Sequence, residues 1–308
     1  MKSNFFRRCG VSAIALAAMT AAAPTAMADA TTDFGPATVT VGGFTAAESV
    51  YRSRSETADI GSTFSGVPFS NSPQSHLSEF RESARQSRLS VMMQANADPD
   101  THLTFYGEFD FLGAAQTANS NESNSFNLRI RHFYGQVDWD SVGVELLAGQ
   151  NWSLATLNSH GITPRNEVIP ATIDAQYSVG FVWQRTPQVR IVKNFDHQFW
   201  LALSVENPQT TFASGVAPGA IGAGGTSQAV VTGISVIDNN NGGSLFDKTN
   251  SFSLNHIPDI IGKAAWEPMI GGSQPLHVEA FGIFRSYYDR INIAATNALG
   301  LPSGSPPG

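Results

Sequence analysis

Apolar and polar residues alternate along most of the chain from residue 37 onward, in segments of roughly ten residues. In the clearest segment, 102–111, every second residue is apolar or aromatic and the residues between them are mostly polar or charged. A period of two predicts a β-strand with one apolar and one polar face. The other predicted strands are 37–51, 84–96, 126–139, 142–148, 188–195, 199–206, 248–266 and 276–292.

Short and long connections alternate between these strands. The short ones are 97–100, 140–141, 196–197 and 271–273, and the long ones are 53–79, 113–125, 154–176 and 207–247. This alternation is typical of bacterial outer-membrane barrels. The pattern therefore predicts an all-β protein, an antiparallel transmembrane β-barrel of porin type. A secreted β-sandwich is the alternative, because it also alternates and has glycine-rich turns.

The number of predicted strands is about nine, whereas closed single-chain barrels have an even number. Segment 177–186 is assigned to the third long loop, or to an extension of the following strand with Pro187 at a bulge. The last residues, 303–308, contain mainly Pro, Gly and Ser and cannot form a strand. We therefore expect either that 37–308 is a partial barrel, incomplete at the C-terminus, or that the count is off by one.

The first 28 residues have the features of a cleaved signal peptide. Lys2, Arg7 and Arg8 precede an apolar run, 11–23, and a small-residue stretch ends at Ala28. A short N-terminal segment, 29–36, then leads to the first predicted strand. The single cysteine, Cys9, lies within the signal, so the exported chain is expected to contain no thiol and no disulfide.

Composition narrows the possible partners. Charged residues make up 14% of the chain, and removing the signal takes the formal net charge from −7 to about −10. This acidic balance argues against nucleic acid as a partner. Nucleophile-elbow, zinc-protease and Walker phosphate-loop motifs are absent from the sequence. We therefore expect no enzymatic activity, no cofactor and no metal.

Several stretches of the sequence resemble one family. They are Phe-Arg-Glu-Ser-Ala-Arg-Gln-Ser-Arg-Leu-Ser-Val (80–91), Leu-Arg-Ile-Arg-His-Phe-Tyr-Gly (128–135), Leu-Ala-Gly-Gln-Asn-Trp-Ser (147–153), Ile-Asp-Ala-Gln-Tyr (173–177), Gly-Phe (180–181), Arg-Thr-Pro-Gln-Val-Arg (185–190) and Glu-Asn-Pro-Gln-Thr (206–210). The chain resembles the DcaP-like trimeric porins of Gram-negative outer membranes, over residues from about 37 to about 290. That resemblance implies a barrel of about sixteen strands, a homotrimer in outer-membrane lipid, and passage of small hydrophilic or anionic, dicarboxylate-like solutes. Two departures are the absence of a coiled coil after the signal and the missing C-terminal part.

If the apolar face of each strand meets lipid, the charged residues of the opposite face line the lumen. The candidate pore-lining residues are Arg88, Glu108, Asp110, Arg129, Arg131, Glu145, Arg190, Glu206, Glu279 and Arg285. The five arginines either attract anionic solutes or are simply paired with the inward carboxylates. The sequence leaves both hypotheses open.

The long loop 154–176 follows the fifth predicted strand, a position from which porins commonly fold a segment into the lumen. We expect it to narrow the pore, with Arg165, Glu167 and Asp174 as candidate lining charges. The alternative is a cap on the outer surface. Aromatic residues near presumed strand ends, Trp139, Trp152, Trp183, Phe199, Trp200, Tyr287 and Tyr288, suit interfacial girdles.

The predicted function is passive diffusion of small hydrophilic solutes through an outer-membrane porin. An adhesion protein whose barrel presents loop 207–247, and a non-functional porin fragment, are the alternatives.

Overall fold

The computed structural model describes residues 29–56, 60, 67–113, 127–168, 181–182, 184–208, 234–237, 255–270, 274–286 and 290–293. The predicted signal peptide and the candidate residue Asp174 lie outside these ranges. The described strands are β1 (Ala30–Phe34), β2 (Ala37–Phe44), β3 (Glu48–Arg52), β4 (Glu79–Ser83), β5 (Arg88–Asn96), β6 (Thr101–Gly113), β7 (Asn127–Trp139), β8 (Val144–Trp152), β9 (Arg185–Phe195), β10 (Phe199–Glu206), β11 (Ile234–Ile237), β12 (Asp259–Trp266), β13 (Met269–Ile270), β14 (Gln274–Pro275), β15 (Val278–Phe284) and β16 (Arg290–Ile293). Two short 3-10 turns cover Pro73–His76 and Asp140–Val142.

Ten strands form one sheet in the order β1-β2-β5-β6-β7-β8-β9-β10-β12-β15. The remaining strands pair as β3–β4, β11–β16 and β13–β14, and the described pairings are antiparallel. The predicted all-β, antiparallel fold class is therefore confirmed. The sheet has one strand more than predicted, because segment 29–36 contains β1, which pairs with β2 around Gly35 (φ 63°).

Two predicted strands are shorter than expected. The segment 37–51 is interrupted between β2 and β3, and β12 begins only at Asp259. Pro187 lies within β9, opposite Gln150 of β8, and its carbonyl oxygen accepts the N–H of Asn207. The strand thus extends past Pro187 to Arg185, as one of the two interpretations predicted, but its register with β8 is unbroken, so the predicted bulge at Pro187 is not found.

The chain divides into two compact units, Met1–Phe133 and Tyr134–Gly308. In unit 1, β2, β5 and β6 pair in register from Ala37 opposite Ala95 to Arg88 opposite Asp110. In unit 2, β8, β9, β10, β12 and β15 pair in order, each with the next. Each unit is described below by itself.

The strands expose their apolar residues and bury their charged ones. In β9, Val189 and Ile191 are 53% and 47% exposed, whereas Arg190 between them is 2% exposed. Water-soluble proteins show the opposite pattern, since their charged residues are almost never fully buried unless paired. We call the two sides of each unit the apolar face and the polar face. A soluble β-sandwich buries its apolar faces, so this alternative does not fit the described strands.

Exposed apolar side chains occur in both units; they include Leu89, Met93, Leu103, Phe111, Ile130 and Phe133 of unit 1 and Leu146, Val189, Leu201, Leu203, Val205 and Ile283 of unit 2. Buried charged residues of the strands include Asp110 and Arg131 of unit 1 and Glu145, Arg190, Glu206, Asp259 and Lys263 of unit 2. Among the described residues, no helix has the length and apolar character needed to cross a membrane.

Candidate functional site

The polar face of unit 1 carries a network of five charged side chains from three strands. It consists of Arg88 (β5), Glu108 and Asp110 (β6), and Arg129 and Arg131 (β7). Arg129 donates from Nε to Asp110 Oδ1 (2.9 Å) and from its terminal nitrogen to Oδ2 (2.5 Å). Arg131 donates to Glu108 Oε1 (2.5 Å) and to Asp110 Oδ2 (3.2 Å). This set is named the arginine–carboxylate network.

In this network two of the arginines are more exposed than the carboxylates. Its carboxylates are well covered, since the side chains of Glu108 and Asp110 are 14% and 2% exposed. The side chains of Arg88 and Arg129 are 30% and 39% exposed, and Arg88 lies 3.8 Å from Glu108. Three arginines face two carboxylates, so the formal charge of the network is positive.

The alternation of β7 shifts by one residue within the network. Ile130 and Phe133 are exposed, whereas Arg131 and His132 are both buried, so two adjacent side chains point to the polar face. The strict two-residue alternation of an extended strand is therefore interrupted at this point. His132 Nε2 lies 4.0 Å from Glu108 Oε1, and the Tyr106 hydroxyl donates to Glu108 Oε2 (3.1 Å).

In unit 2 the polar face is covered by the segment that follows β8. Residues 153–168 of this connection are described, and we call them the β8–β9 loop. The loop folds back on itself, because the Ser159 N–H donates to Asn166 O (2.8 Å) and the Val168 N–H to Leu157 O (2.7 Å). It is therefore a compact hairpin with an internal structure of its own.

Polar contacts fix this loop to the sheet along the length of the strands. At the C-terminal end of β10, the Leu154 N–H donates to Glu206 Oε1 (2.8 Å). Further along, the Asn158 N–H donates to Glu279 Oε1 (2.9 Å). At the loop tip, the Gly161 N–H donates to Glu267 Oε1 (2.5 Å), beside the end of β12.

The loop thus extends along almost the full height of the sheet. Glu206 is the last residue of β10, and Trp200, beneath the loop tip, lies six residues earlier in the same strand. At about 3.4 Å per residue this distance is about 20 Å. Lys263 of β12 reinforces the middle of the loop, since its Nζ donates to Thr156 O and Asn158 Oδ1, both at 2.7 Å.

Apolar contacts add to these hydrogen bonds. Leu154, Ala155 and Ile162 of the loop form a buried cluster with strand residues Val192, Trp200, Ile261 and Ala265. Gly161 has φ +54°, and a Cβ atom there would lie 3.2–3.3 Å from the Trp200 indole. Both the backbone conformation and the close contact therefore require glycine at the tip.

Histidines and carboxylates meet at the loop tip. His160 Nδ1 lies 2.6 Å from Glu267 Oε2, and His277 Nδ1 lies 2.8 Å from Glu267 Oε1. Burial alone would raise the pKa of Glu267. The hydrogen bonds from the Gly161 N–H and from His277, with the charges of the two histidines, outweigh burial and lower that pKa below its usual value. Glu267 thus stays ionised in moderately acidic solution.

A second buried group lies where β8 meets the returning arm of the loop. Arg190 donates to Gln188 Oε1 (3.0 Å) and to Trp152 O (2.7 Å). Asn151 donates to Glu167 Oε1 (3.4 Å), and burial raises the pKa of Glu167 even though the charge of Arg190 opposes that shift. Within the described ranges, no group of three or more His, Cys, Asp or Glu side chains could hold a metal ion.

The predicted site residues therefore fall into separate groups. Five form the arginine–carboxylate network of unit 1, and Glu206 and Glu279 accept hydrogen bonds from the β8–β9 loop. Glu145 and Arg190 are buried on the same face. Arg285 pairs with Asp259, donating from Nε at 2.9 Å to both of its oxygens. Arg165 is exposed, with φ 70°, and Glu167 pairs with Asn158 across the loop.

Other residues of the site were not predicted. Asp259, Lys263, Glu267 and His277 all contact loop or strand partners on the polar face of unit 2. Lys263 could have been found, because it is the one charge within the apolar stretch from Ile260 to Trp266. Trp152 and Trp200, expected in a girdle, are 3% and 2% exposed and lie on the polar face; Phe199 is on the apolar face.

Comparison with known proteins adds one solved structure to this picture. No protein-family model matches the chain. No curated protein matches it either. Among solved structures, the chain is similar to the crystal structure of the outer membrane channel DcaP of Acinetobacter baumannii, with 19% identity and a TM-score of 0.49. The alignment covers 83% of this chain, which spans 57% of that channel.

Proposed function

We propose that this protein is an outer-membrane porin that lets small hydrophilic solutes diffuse passively along the polar face of its sheet. The observation that carries the proposal is the reversed polarity of the strands. Leu203 and Val205 are exposed while Ser204 and Glu206 beside them are buried. An exposed band of apolar side chains on paired strands suits lipid, because every backbone group within the sheet can be satisfied there.

The polar face supports a water-filled passage. Charged side chains such as Arg129 and Arg88 are costly in lipid but favourable where water reaches them. The sheet is therefore proposed to close, alone or with further strands, around this face as a barrel. The export signal at residues 1–28, the outer-membrane location, the homotrimer and membership of the DcaP-like family belong to the same proposal, supported by the sequence motifs.

The β8–β9 loop is proposed to narrow the passage. It is compact, it is bonded to the polar face at Glu206, Glu279 and Glu267, and it leaves His160 and Arg165 exposed on its outer side. In this view Glu206 and Glu279 act as anchors for the loop, while Arg165 meets the solute. Asp174 remains a proposed lining residue of the segment that follows.

A preference for anions is proposed from the arginine–carboxylate network. Its three arginines exceed its two carboxylates, and the exposed guanidinium of Arg129 can pair with a carboxylate in two-pronged geometry. No catalytic step and no cofactor are part of this function, since diffusion through a pore requires only a lining of suitable charge and width.

Solute flux into liposomes tests the proposal. The purified chain should admit small sugars and dicarboxylates into loaded liposomes, and the double variant Arg129→Gln/Arg131→Gln should shift the reversal potential in a salt gradient toward cations. The double variant Arg54→Gln/Arg81→Gln, whose arginines lie outside the network, serves as the control and should leave the potential unchanged. Liposomes that remain impermeable would reject the porin, and an unchanged potential in the network variant would reject the anion preference.

A further inference from the structure

A buried ion pair on the polar face of unit 2 lies beneath the β8–β9 loop. Its members, Lys263 of β12 and Glu279 of β15, are not directly opposite each other, since Lys263 pairs with Phe281 and Glu279 with Ala265. Their long side chains meet diagonally, with Lys263 Nζ 2.7 Å from Glu279 Oε2. The two side chains are 0% and 7% exposed. Both charges are therefore largely shielded from bulk water while the loop is docked.

The loop supplies further hydrogen-bond partners to both members of this pair. Lys263 Nζ donates to Thr156 O and to Asn158 Oδ1, both at 2.7 Å, so two of the three acceptors described around the ammonium belong to the loop. The Asn158 N–H donates to Glu279 Oε1 at 2.9 Å. His277, which immediately precedes β15, places Nε2 3.2 Å from the other oxygen of Glu279. Release of the loop would take three hydrogen bonds away from the pair.

The donors and acceptors of the loop match the order of the two charges. An ammonium can only donate, and an ionised carboxylate can only accept. The loop turns two oxygens toward Lys263 and one N–H toward Glu279, which is the complementary arrangement. Asn158 contacts both members of the pair, and its Nδ2 also donates to Thr163 O within the loop (3.2 Å). These contacts fix the orientation of the amide, because the ammonium requires its oxygen and the Thr163 carbonyl requires its nitrogen.

We propose that Lys263 and Glu279 are positioning residues that hold the β8–β9 loop through the order of their charges, donor on β12 and acceptor on β15, with Asn158 as the loop residue that recognises both. The pair therefore does more than connect two strands, because its polarity determines whether the loop docks. The effect on the width of the passage rests on the proposed function, whereas the docking itself does not.

Exchange of the two charges would preserve the ion pair and destroy its match with the loop. A buried charge without suitable hydrogen-bond partners is strongly unfavourable. The exchanged pair would point a carboxylate at Thr156 O and Asn158 Oδ1, and an ammonium at the Asn158 N–H. Acceptors would then face acceptors and donors would face donors. Docking would be opposed although the two charges still neutralise each other.

Thiol accessibility reports loop docking. The only cysteine is Cys9, so Cys9→Ser gives a background without thiols. Thr156→Cys places a reporter beside the pair, where Thr156 is 4% exposed and its hydroxyl has no hydrogen-bond partner among the described residues. Val168→Cys places a second reporter at a position of the same loop that is 37% exposed. The ratio of the labelling rates at 156 and 168, with a small charged thiosulfonate, measures release of the loop.

The charge exchange is the decisive variant. Lys263→Glu/Glu279→Lys should raise the labelling ratio at least about tenfold, because hydrogen bonds to charged groups are strong. Lys263→Met, which removes the donor, should raise the ratio to a similar extent. The matched control is Lys193→Met, which changes a lysine of β9 that donates to Val142 O outside the loop, and it should leave the ratio unchanged. A charge exchange that labels like the parent protein would overturn the inference.

A change on the loop side tests the same contact without altering the strands. Asn158→Ala should also raise the ratio. Because Asn158 and Lys263 act through one contact, the double variant Asn158→Ala/Lys263→Met should raise the ratio by clearly less than the product of the two separate increases. An increase equal to that product would show that the two residues act independently and would also overturn the inference. Heat-dependent mobility on detergent gels checks that each variant has folded.

Single-channel conductance of the same proteins separates this inference from the proposed function. Larger conductance steps in the charge exchange, together with a raised labelling ratio, support both. Channels with a labelling ratio that the charge exchange leaves unchanged overturn the role of the pair and leave the porin standing. A raised ratio in a protein that forms no channel supports the positioning role and overturns the porin.

Discussion

The polar faces of the two units both carry charged residues but use them differently. In unit 1 the charges of β5, β6 and β7 bind one another, and the guanidinium groups of Arg88 and Arg129 remain partly exposed. In unit 2 the carboxylates Glu206, Glu279 and Glu267 accept hydrogen bonds from the backbone of a folded loop. A charge on the polar face of a strand can therefore remain partly exposed or accept hydrogen bonds from a folded loop.

The difference follows from the donors available on each face. Unit 1 supplies three arginine side chains for two carboxylates, so most of the donors to these carboxylates are side chains and positive charge is left over. Unit 2 supplies the loop N–H groups of Leu154, Asn158 and Gly161, which cannot leave the face without losing their partners. The first face therefore leaves guanidinium groups partly exposed, whereas the second is covered by the loop.

Deletion within the β8–β9 loop of unit 2 should have the largest effect on conductance. Deletion of Asn158–Val168 removes the tip and returning arm of the β8–β9 loop and uncovers Lys263, Glu279 and Glu267. We expect single-channel conductance to rise severalfold and the selectivity to become more cationic, since carboxylates are then exposed. The matched control is Val168→Ala, at an exposed position of the same loop, which should leave the conductance close to the parent value.

Disrupting the arginine–carboxylate network of unit 1 should instead lower the stability of the protein. Asp110→Asn removes the carboxylate that binds both Arg129 and Arg131. Loss of one partner of a buried ion pair costs about 3–5 kcal/mol, so the free energy of unfolding in urea should fall by a comparable amount. Asp33→Asn, an exposed position on β1, is the control. The selectivity of Asp110→Asn should become more anionic, and a cationic shift would contradict the assignment of the network.

Weakening the apolar contacts of the loop should mimic the deletion in part. Ile162→Ala removes a fully buried side chain from the cluster with Trp200 and Val192. Such truncations cost about 2–5 kcal/mol, and here the cost falls on loop docking. We expect noisier channels with frequent openings to higher conductance. Val168→Ala, at an exposed position of the same loop, should record like the parent protein.

The smallest effect on stability is expected at Arg88 of unit 1. Arg88 lies 3.8 Å from Glu108 and is 30% exposed, so the pair contributes at most about 1 kcal/mol. Arg88→Gln should leave the unfolding free energy nearly unchanged while it lowers the preference for anions. A large loss of stability without any change in selectivity would show that Arg88 has a structural role only.

The period-two alternation was sufficient to predict most strands of the ten-stranded sheet and the face of charges such as Asp110 and Arg190. Residues 188–192 of β9 show why, because buried and exposed residues alternate there and the change of residue type reveals the face. β1 was missed because a five-residue strand that is exposed throughout shows no contrast between its faces. The shift at Arg131 and His132 was missed because a local break in the alternation leaves the composition of a strand unchanged.

The partners of the inward charges could not be predicted from the sequence. Glu279 and Asn158 are separated by more than a hundred positions, and their contact depends on how the loop folds. The sequence also left open whether the loop enters the polar face or caps the outer surface. Gly161 is consistent with entry of the loop, since a glycine permits close approach of the loop backbone to the Trp200 indole.

Planar-bilayer recording with the purified chain tests the central claim, that the polar face lines a passage narrowed by the β8–β9 loop. The account predicts stepwise currents from the parent protein and larger steps from the Asn158–Val168 deletion. Folded protein that inserts into the bilayer and remains silent in both forms would contradict it, as would steps of equal size with and without the loop.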